Sequence, residues 1–401
     1  MSPIVERRMF WLLAFLAIAA RLALIATTYG TNDANFTAMW VSLANKVGIA
    51  HSYAHTAMMN HPPLSAAYMV LMDRMAKASG VRYIDIFRIC QVLADIVTSM
   101  ALFQIGRQFS VDYGRALALF VLLSPGAAFL SAFHGNTDPT MIALLAVAAA
   151  FIAWRRYGLG GAALALACGI KILPFLVVPI FLIFVPRRNQ LRFAGAFAAI
   201  IAITFLPAIV IGGPSVVRGI FGYRGGLPYE WGIPGIAFAL SKNVAAMREI
   251  GRAVMTFWQA YGTYFVYAAI LGVLVMVFRR RPSTPPALLH AVEIMFMTIL
   301  ALAPVFGVQY TGWLIAFLPF ALSWRGAVVM NAAISTFLFV TYTIWSGGWP
   351  WWFADLARPG PYRWVAAVAG YTMWLIVCAA LVVAIRRYII APTKNRTLNA
   401  H

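Results

Sequence analysis

Along most of the chain, apolar residues run on for about 20 positions before a polar break, the length a helix rising 1.5 Å per residue needs to cross roughly 30 Å of hydrocarbon. The runs predict spans at Met9–Thr27, Ile84–Arg107, Arg115–Phe133, Met141–Trp154, Phe193–Ile211, Val254–Phe278, Ala287–Pro304, Gly312–Ser323, Ala327–Trp345 and Val365–Ile385. Three stretches break the pattern. Ala34–Val47 sets Phe36, Met39, Trp40, Leu43, Ala44 and Val47 on one stripe, with Asn35, Ser42, Asn45 and Lys46 opposite. Such a short amphipathic helix lies in the membrane interface or packs over the bundle. HPPL, beginning at His61, opens a second short helix, Leu64–Lys77, whose roughly 21 Å is too little for a bilayer. Gly160–Val185 is apolar except for Lys171 and is flanked by basic residues at both ends, which predicts a hairpin of two short helices turning near IKILP. The expectation is an all-α polytopic membrane protein, a bundle of about 12 helical segments. The short alternating segments of a transmembrane barrel do not occur.

Composition agrees with that pattern. Hydrophobic residues make up 63% of the chain and charged residues 10%, and mean hydropathy is +0.82, too apolar to build a water-soluble surface. Lys and Arg number 31 against 11 Asp and Glu, and most of the excess sits at the ends of apolar runs, as in cytoplasmic loops. That placement argues against nucleic acid as a partner and for membrane lipids. Cys90, Cys168 and Cys378 fall inside apolar runs without metal-ligand spacing, as small core residues do. The basic start and apolar core at the amino terminus lack a clean cleavage site and read as a retained first helix. With the basic clusters inside, residues 1–401 form a single transmembrane domain with both termini cytoplasmic. Its outer loops are 28–83, holding two interfacial helices, 212–252 and 346–363. A bacterial inner membrane fits, with the working face periplasmic.

All three polar, aromatic-rich loops fall on that outer side, as do most candidate chemical groups. Asp33 follows the first span and precedes a helix, where it serves either as an N-cap or as a general base. His134 and Asp138 bracket HGNTDP, denser in polar groups than a turn requires, although Asp138 can also cap the next helix. Lys171, within an apolar run, calls for an anionic partner or snorkels from a helix end. His51 and His55 have i, i+4 spacing, for which a divalent metal is the lesser reading; no cofactor is expected. Arg21 snorkels or faces inward, and Asp95 and Glu293 are read as structural partners of arginine. Two other function classes compete with an enzyme: a transporter or lipid flippase using Asp95, Glu293 and Lys171, and an assembly partner docking through its outer loops.

Six motifs in order, GTNDAN, NHPPL, FHGNTDP, GIKILPFLVVP, YRGGLPYEWGIPG and FGVQYTGWLIAFLP, resemble the GT-C superfamily of membrane glycosyltransferases. The resemblance is to the branch holding glycosyltransferase family 87 and the mannosyltransferases of GPI-anchor assembly. Val308 replaces the proline usual before Gln-Tyr, and His61 stands where relatives often have an aromatic or acidic residue. The resemblance implies an inverting transfer of a sugar, mannose favoured, from a polyprenyl-phosphate donor to a hydroxyl of a lipid or glycan acceptor. Asp33 would be the base, and His134, Lys171 and Arg224 the cations facing the leaving phosphate. Gln309 and Tyr310 would line the pocket, and His61 and Asp138 would touch substrate. The chain lacks a DxD motif for a nucleotide-sugar metal, in keeping with a lipid donor.

Overall fold

The computed structural model describes residues 6–56, 59–222, 230–355 and 363–390. It is helical almost throughout, and seven of its helices are long and apolar enough to cross a bilayer, eight if one bent pair is a single span. This is an integral membrane protein. In chain order the first part comprises α1 (Arg7–Thr27), strand β1 (Gly30–Thr31), α2 (Asn32–Val47), α3 (Ile49–His55), α4 (Pro63–Ser79) and α5 (Tyr83–Gly106). Next come α6 (Val111–Leu122), α7 (Pro125–Ala128), a π-helical turn (Phe129–His134), α8 (Asp138–Ala153) and α9 (Tyr157–Ile170). A 3-10 turn (Leu173–Val177) leads to α10 (Val178–Phe184), followed by α11 (Arg187–Gly212), α12 (Pro214–Phe221), α13 (Gly232–Asn243), α14 (Arg248–Arg280) and α15 (Pro285–Leu302). After a further 3-10 turn (Val308–Thr311) come α16 (Gly312–Ile315), α17 (Leu318–Ala321), α18 (Trp324–Ser346), β2 (Phe353–Ala354) and α19 (Arg363–Ile390). α15 lies at the centre with most of its surface buried, whereas α11 turns Ile203, Leu206 and Val210 outward, as a lipid-facing helix does.

Prolines account for most departures from the expected spans. Arg115–Phe133 is not one rod. It bends by 50° between α6 and the α7–π unit. Pro125 cannot donate a backbone N–H and disfavours helix at Ser124, whose hydroxyl instead caps the Ala127 N–H at 3.1 Å. Gly312–Ser323 is likewise two one-turn helices, with Pro319 opening the second. The 160–185 hairpin is present, broken at Lys171 to Val177, and the HPPL helix starts on Pro63. Between the two short helices the chain forms a further one, α3, which the apolar pattern does not predict.

Two arginines, rather than apolar packing alone, hold the upper bundle. Arg21 faces inward. Its Nε lies 3.1 Å from Asp95, and its guanidinium donates to the carbonyls of Leu122 (2.5 Å) and Val121 (3.2 Å) at the end of α6, where the bend interrupts the helix. Arg88, fully buried on α5, donates to Ile25 O (3.0 Å), Thr28 O (2.8 Å), Thr28 Oγ1 (2.9 Å), Ala132 O (3.2 Å) and Asp85 Oδ1 (2.8 Å). It thereby clamps the end of α1 to the π-helical turn. Glu293 is fully buried, but neither carboxylate oxygen has a hydrogen-bond partner among the described residues, so its expected arginine is absent.

Removing one side of a buried, charge-assisted clamp strands the rest, at a typical cost of about 3–5 kcal/mol, whereas an exposed ion pair is worth about 1 kcal/mol or less. Arg88→Met should therefore lower the melting temperature in detergent sharply. Arg82→Ala, which removes only the more exposed arginine on Asp85, should barely move it.

Candidate active site

The site is built where β1, the π-helical turn and the start of α8 meet. Gly30 makes the approach possible. Its φ is +119°, and a Cβ there would lie 2.8 Å from the Phe133 carbonyl oxygen. β1 pairs in parallel with β2, Gly30 opposite Phe353 and Thr31 opposite Ala354, so the segment after α18 closes over the start of α2. Thr31, the N-cap of α2, uses its hydroxyl twice: it donates to His134 O at 2.8 Å and accepts the Asp33 N–H at 3.3 Å.

The capping position thus belongs to Thr31, and the Asp33 carboxylate is released for another partner. Asp33 Oδ2 lies 2.9 Å from His134 Nε2. The His134 side chain is fully buried, whereas that of Asp33 remains 27% exposed, so the carboxylate sits between a fixed imidazole and open space. Burial opposes the charge on Asp33, but the hydrogen bond from the His134 ring and the nearby Lys171 ammonium more than offset it and hold the carboxyl below its usual range. On its far side His134 Nδ1 lies 2.8 Å from the buried Tyr342 hydroxyl of α18.

Asp138 does not cap α8 either; it stands in the first turn, preceded by Thr137 as the N-cap residue. One carboxylate oxygen accepts from Asn136 Nδ2 at 2.7 Å, and the other meets Lys171 Nζ at 2.5 Å. Lys171 therefore has the anionic partner that burial requires. Its ammonium also lies 5.7 Å from the ring centroid of Tyr310, which stacks on Trp313 at 4.3 Å. Gln309 is half-buried on the same turn, against Gly307. His61 packs on Trp40 at 4.9 Å, and its ring is pushed down to about 3 by burial and by Lys171, against the pull of Asp33. Asp33, His61, His134, Asp138, Lys171 and Tyr310 thus form one neighbourhood. Arg224 falls outside the described residues.

His51 and His55 both project outward from α3, and no three His, Cys, Asp or Glu side chains converge on a metal position among the described residues. Sequence reasoning did not single out Tyr342, Arg88, or the trio Tyr68, Gln91 and Thr140. In that trio the Thr140 hydroxyl donates to Gln91 Oε1 at 2.8 Å, beside Asp138. Polar residues inside apolar spans were the available signal for Arg88 and Gln91; nothing local distinguishes Tyr342 from other aromatics of α18.

The model of glycosyltransferase family 87 matches residues 60–304, more than half of the chain. The chain belongs to glycosyltransferase family 87. Its search against curated proteins returns no match. The family 87 region includes His61, His134, Asp138 and Lys171, while Asp33, Gln309, Tyr310 and Tyr342 lie outside it. Glycosyl transfer is therefore the activity class of this membrane protein.

The state of His61 sets a pH signature. Its folded value, about 3, lies below the 6.5 of a free histidine, so the folded protein binds fewer protons than the unfolded chain between those values. Stability should consequently fall as pH drops from about 6.5 toward 3. His61→Asn should flatten that slope in melting curves taken across the window; an unchanged slope would show that His61 is not held neutral.

Proposed function

We propose that this family 87 protein moves a sugar, mannose favoured, from polyprenyl phosphate to an acceptor hydroxyl, with inversion, at the periplasmic face of a bacterial inner membrane. The observation that carries this reading is the partly exposed Asp33 carboxylate, fastened on one oxygen by buried His134 and flanked by the Lys171–Asp138 pair. No donor holds the other oxygen of Asp33 among the described residues, and it is the one placed to take a proton.

The acceptor hydroxyl of a lipid or glycan gives its proton to Asp33 as its oxygen bonds to the anomeric carbon. The carbon–oxygen bond to phosphate breaks on the opposite face of the sugar, and its electron pair leaves on the phosphate. A phosphate leaving group needs charge stabilisation more than a proton, and Lys171 supplies it beside a Tyr310–Trp313 wall. Asp138 keeps the ammonium in place before the donor arrives. His61, kept neutral, offers a ring surface beside Trp40 without adding charge. The groups that suggested a transporter are largely engaged elsewhere: Asp95 by Arg21, and Lys171 by Asp138.

A positioned general base is worth about 10²- to 10⁴-fold in rate. Asp33→Asn, purified in detergent with an unchanged elution profile, should lose transfer from polyprenyl-phosphate mannose by that factor. Undiminished turnover would remove Asp33 from the role. Turnover with nucleotide sugars but with none of a panel of polyprenyl-phosphate sugars would overturn the donor class.

A further inference from the structure

The Tyr342 hydroxyl has no counterpart in the chemistry described so far, yet it is one of the most completely enclosed polar groups near the site. α18 delivers it from the far end of the chain. Phe133, Trp345 and Trp351 surround its ring, with centroids 5.2, 6.4 and 5.7 Å away, and its oxygen lies 2.8 Å from His134 Nδ1. His134 is in turn held at three points: its carbonyl by Thr31, Nε2 at Asp33 and Nδ1 at Tyr342.

We propose that Tyr342 is a positioning residue: its hydroxyl donates to His134 Nδ1, so that the ring always presents Nε2–H to Asp33 and acts as a fixed donor rather than a base. The argument is one of hydrogen counting. A carboxylate oxygen at 2.9 Å accepts, so Nε2 carries the proton, and a neutral ring then has a lone pair at Nδ1 that only a donor satisfies. Tyr342 is the only donor placed there among the described residues. Turning the ring over would set carbon atoms against both partners, so the two contacts together fix its orientation. With His134 occupying Oδ2, the acceptor hydroxyl is confined to Oδ1, and the proton it releases stays on Asp33. The other charged and titratable groups near this pair are Asp138, Lys171 and His61, and among the described residues none of them hydrogen-bonds the ring.

This inference rests on Asp33 being the base, and the tests separate the two. The direct test is ¹⁵N spectroscopy of histidine-labelled wild-type protein in detergent at pH 8, with His134 assigned by its absence from His134→Gln. The expected signal is an unprotonated Nδ1 and a protonated Nε2; a proton on Nδ1 overturns the proposal, and this readout needs no variant of Tyr342 to fold. The kinetic test is a double-mutant cycle with polyprenyl-phosphate mannose as donor. Tyr342→Phe keeps the ring in its aromatic cage and should lower kcat about 10- to 100-fold, with the donor KM within twofold. In a His134→Gln background the same substitution should change kcat less than twofold, because its effect passes through His134. Fully multiplicative losses overturn the proposal. If Asp33→Asn is inactive and the cycle is multiplicative, the positioning role falls alone; if Asp33→Asn is fully active, the base reading falls first.

Discussion

The architecture of the site depends on one buried guanidinium. Arg88 gathers the carbonyls at the end of α1 and the carbonyl of Ala132 in the π-helical turn into one hydrogen-bonded set, with Asp85 balancing its charge. Both ends of the Asp33–His134 contact leave from that set: β1 and α2 follow Thr28, and His134 lies two residues beyond Ala132. Helix ends and π turns expose carbonyls that cannot find a partner within their own segment, and in a lipid-solvated protein water does not supply one. Arginine suits the position because its planar fork reaches several such carbonyls at once, which a lysine cannot. Arg21 does the same at the broken end of α6, so the α6–α7 break and the π-helical turn each meet an inward-facing cation.

The second ion pair follows from helix length and direction. α8 and α9 run antiparallel about the tight turn at Trp154–Arg156 and have 16 and 14 residues, so the first turn of α8 ends up beside the last turn of α9. Asp138 therefore stands at a helix N-terminus and Lys171 at a helix C-terminus, each at the end whose partial charge favours it. Helix dipoles and side-chain charges reinforce one another, and the chain leaves α9 in extended conformation at Lys171, which frees the ammonium to turn toward Asp138. At roughly 24 and 21 Å these helices are shorter than a bilayer. In the proposed orientation the pair is recessed below the outer boundary, at the depth where a lipid phosphate would have to present its sugar.

Much of this was legible in the sequence because lipid imposes strong rules. The apolar runs, the stripe on α2, the proline start of α4 and the interruption at Lys171 each follow from hydrogen-bond satisfaction or helix geometry within one segment. The bend at Ser124–Pro125 was legible too, but the run was read as continuous because its composition stays apolar through the break. What could not be read was which distant groups share a partner. Asp33 looked like an N-cap, and only the fold reveals that Thr31 already occupies that position and that the carboxylate meets a histidine 101 residues away. Tyr342 was invisible for the same reason, since an aromatic in an apolar span is ordinary until its hydroxyl is seen to face a ring nitrogen. Glu293 marks the opposite case: sequence logic demanded a partner for a buried carboxyl, and the packing provides none among the described residues.

The boundaries of the family match give these contacts a further meaning. The matched stretch carries His134, Asp138 and Lys171, the groups that in the proposed mechanism face the donor phosphate or orient the base. The proposed base lies before that stretch and the tyrosine that steadies its histidine lies after it, on segments that the β1–β2 pairing draws together. The flanks are therefore not decoration on a self-sufficient core: without β1 the carboxylate has no fixed approach to His134, and without α18 the imidazole has no second anchor. In the proposed mechanism both halves of the chemistry draw on residues inside and outside the matched stretch: Lys171 inside with Tyr310 and Trp313 beyond it toward the donor, and His134 inside with Asp33 before it and Tyr342 beyond it toward the acceptor.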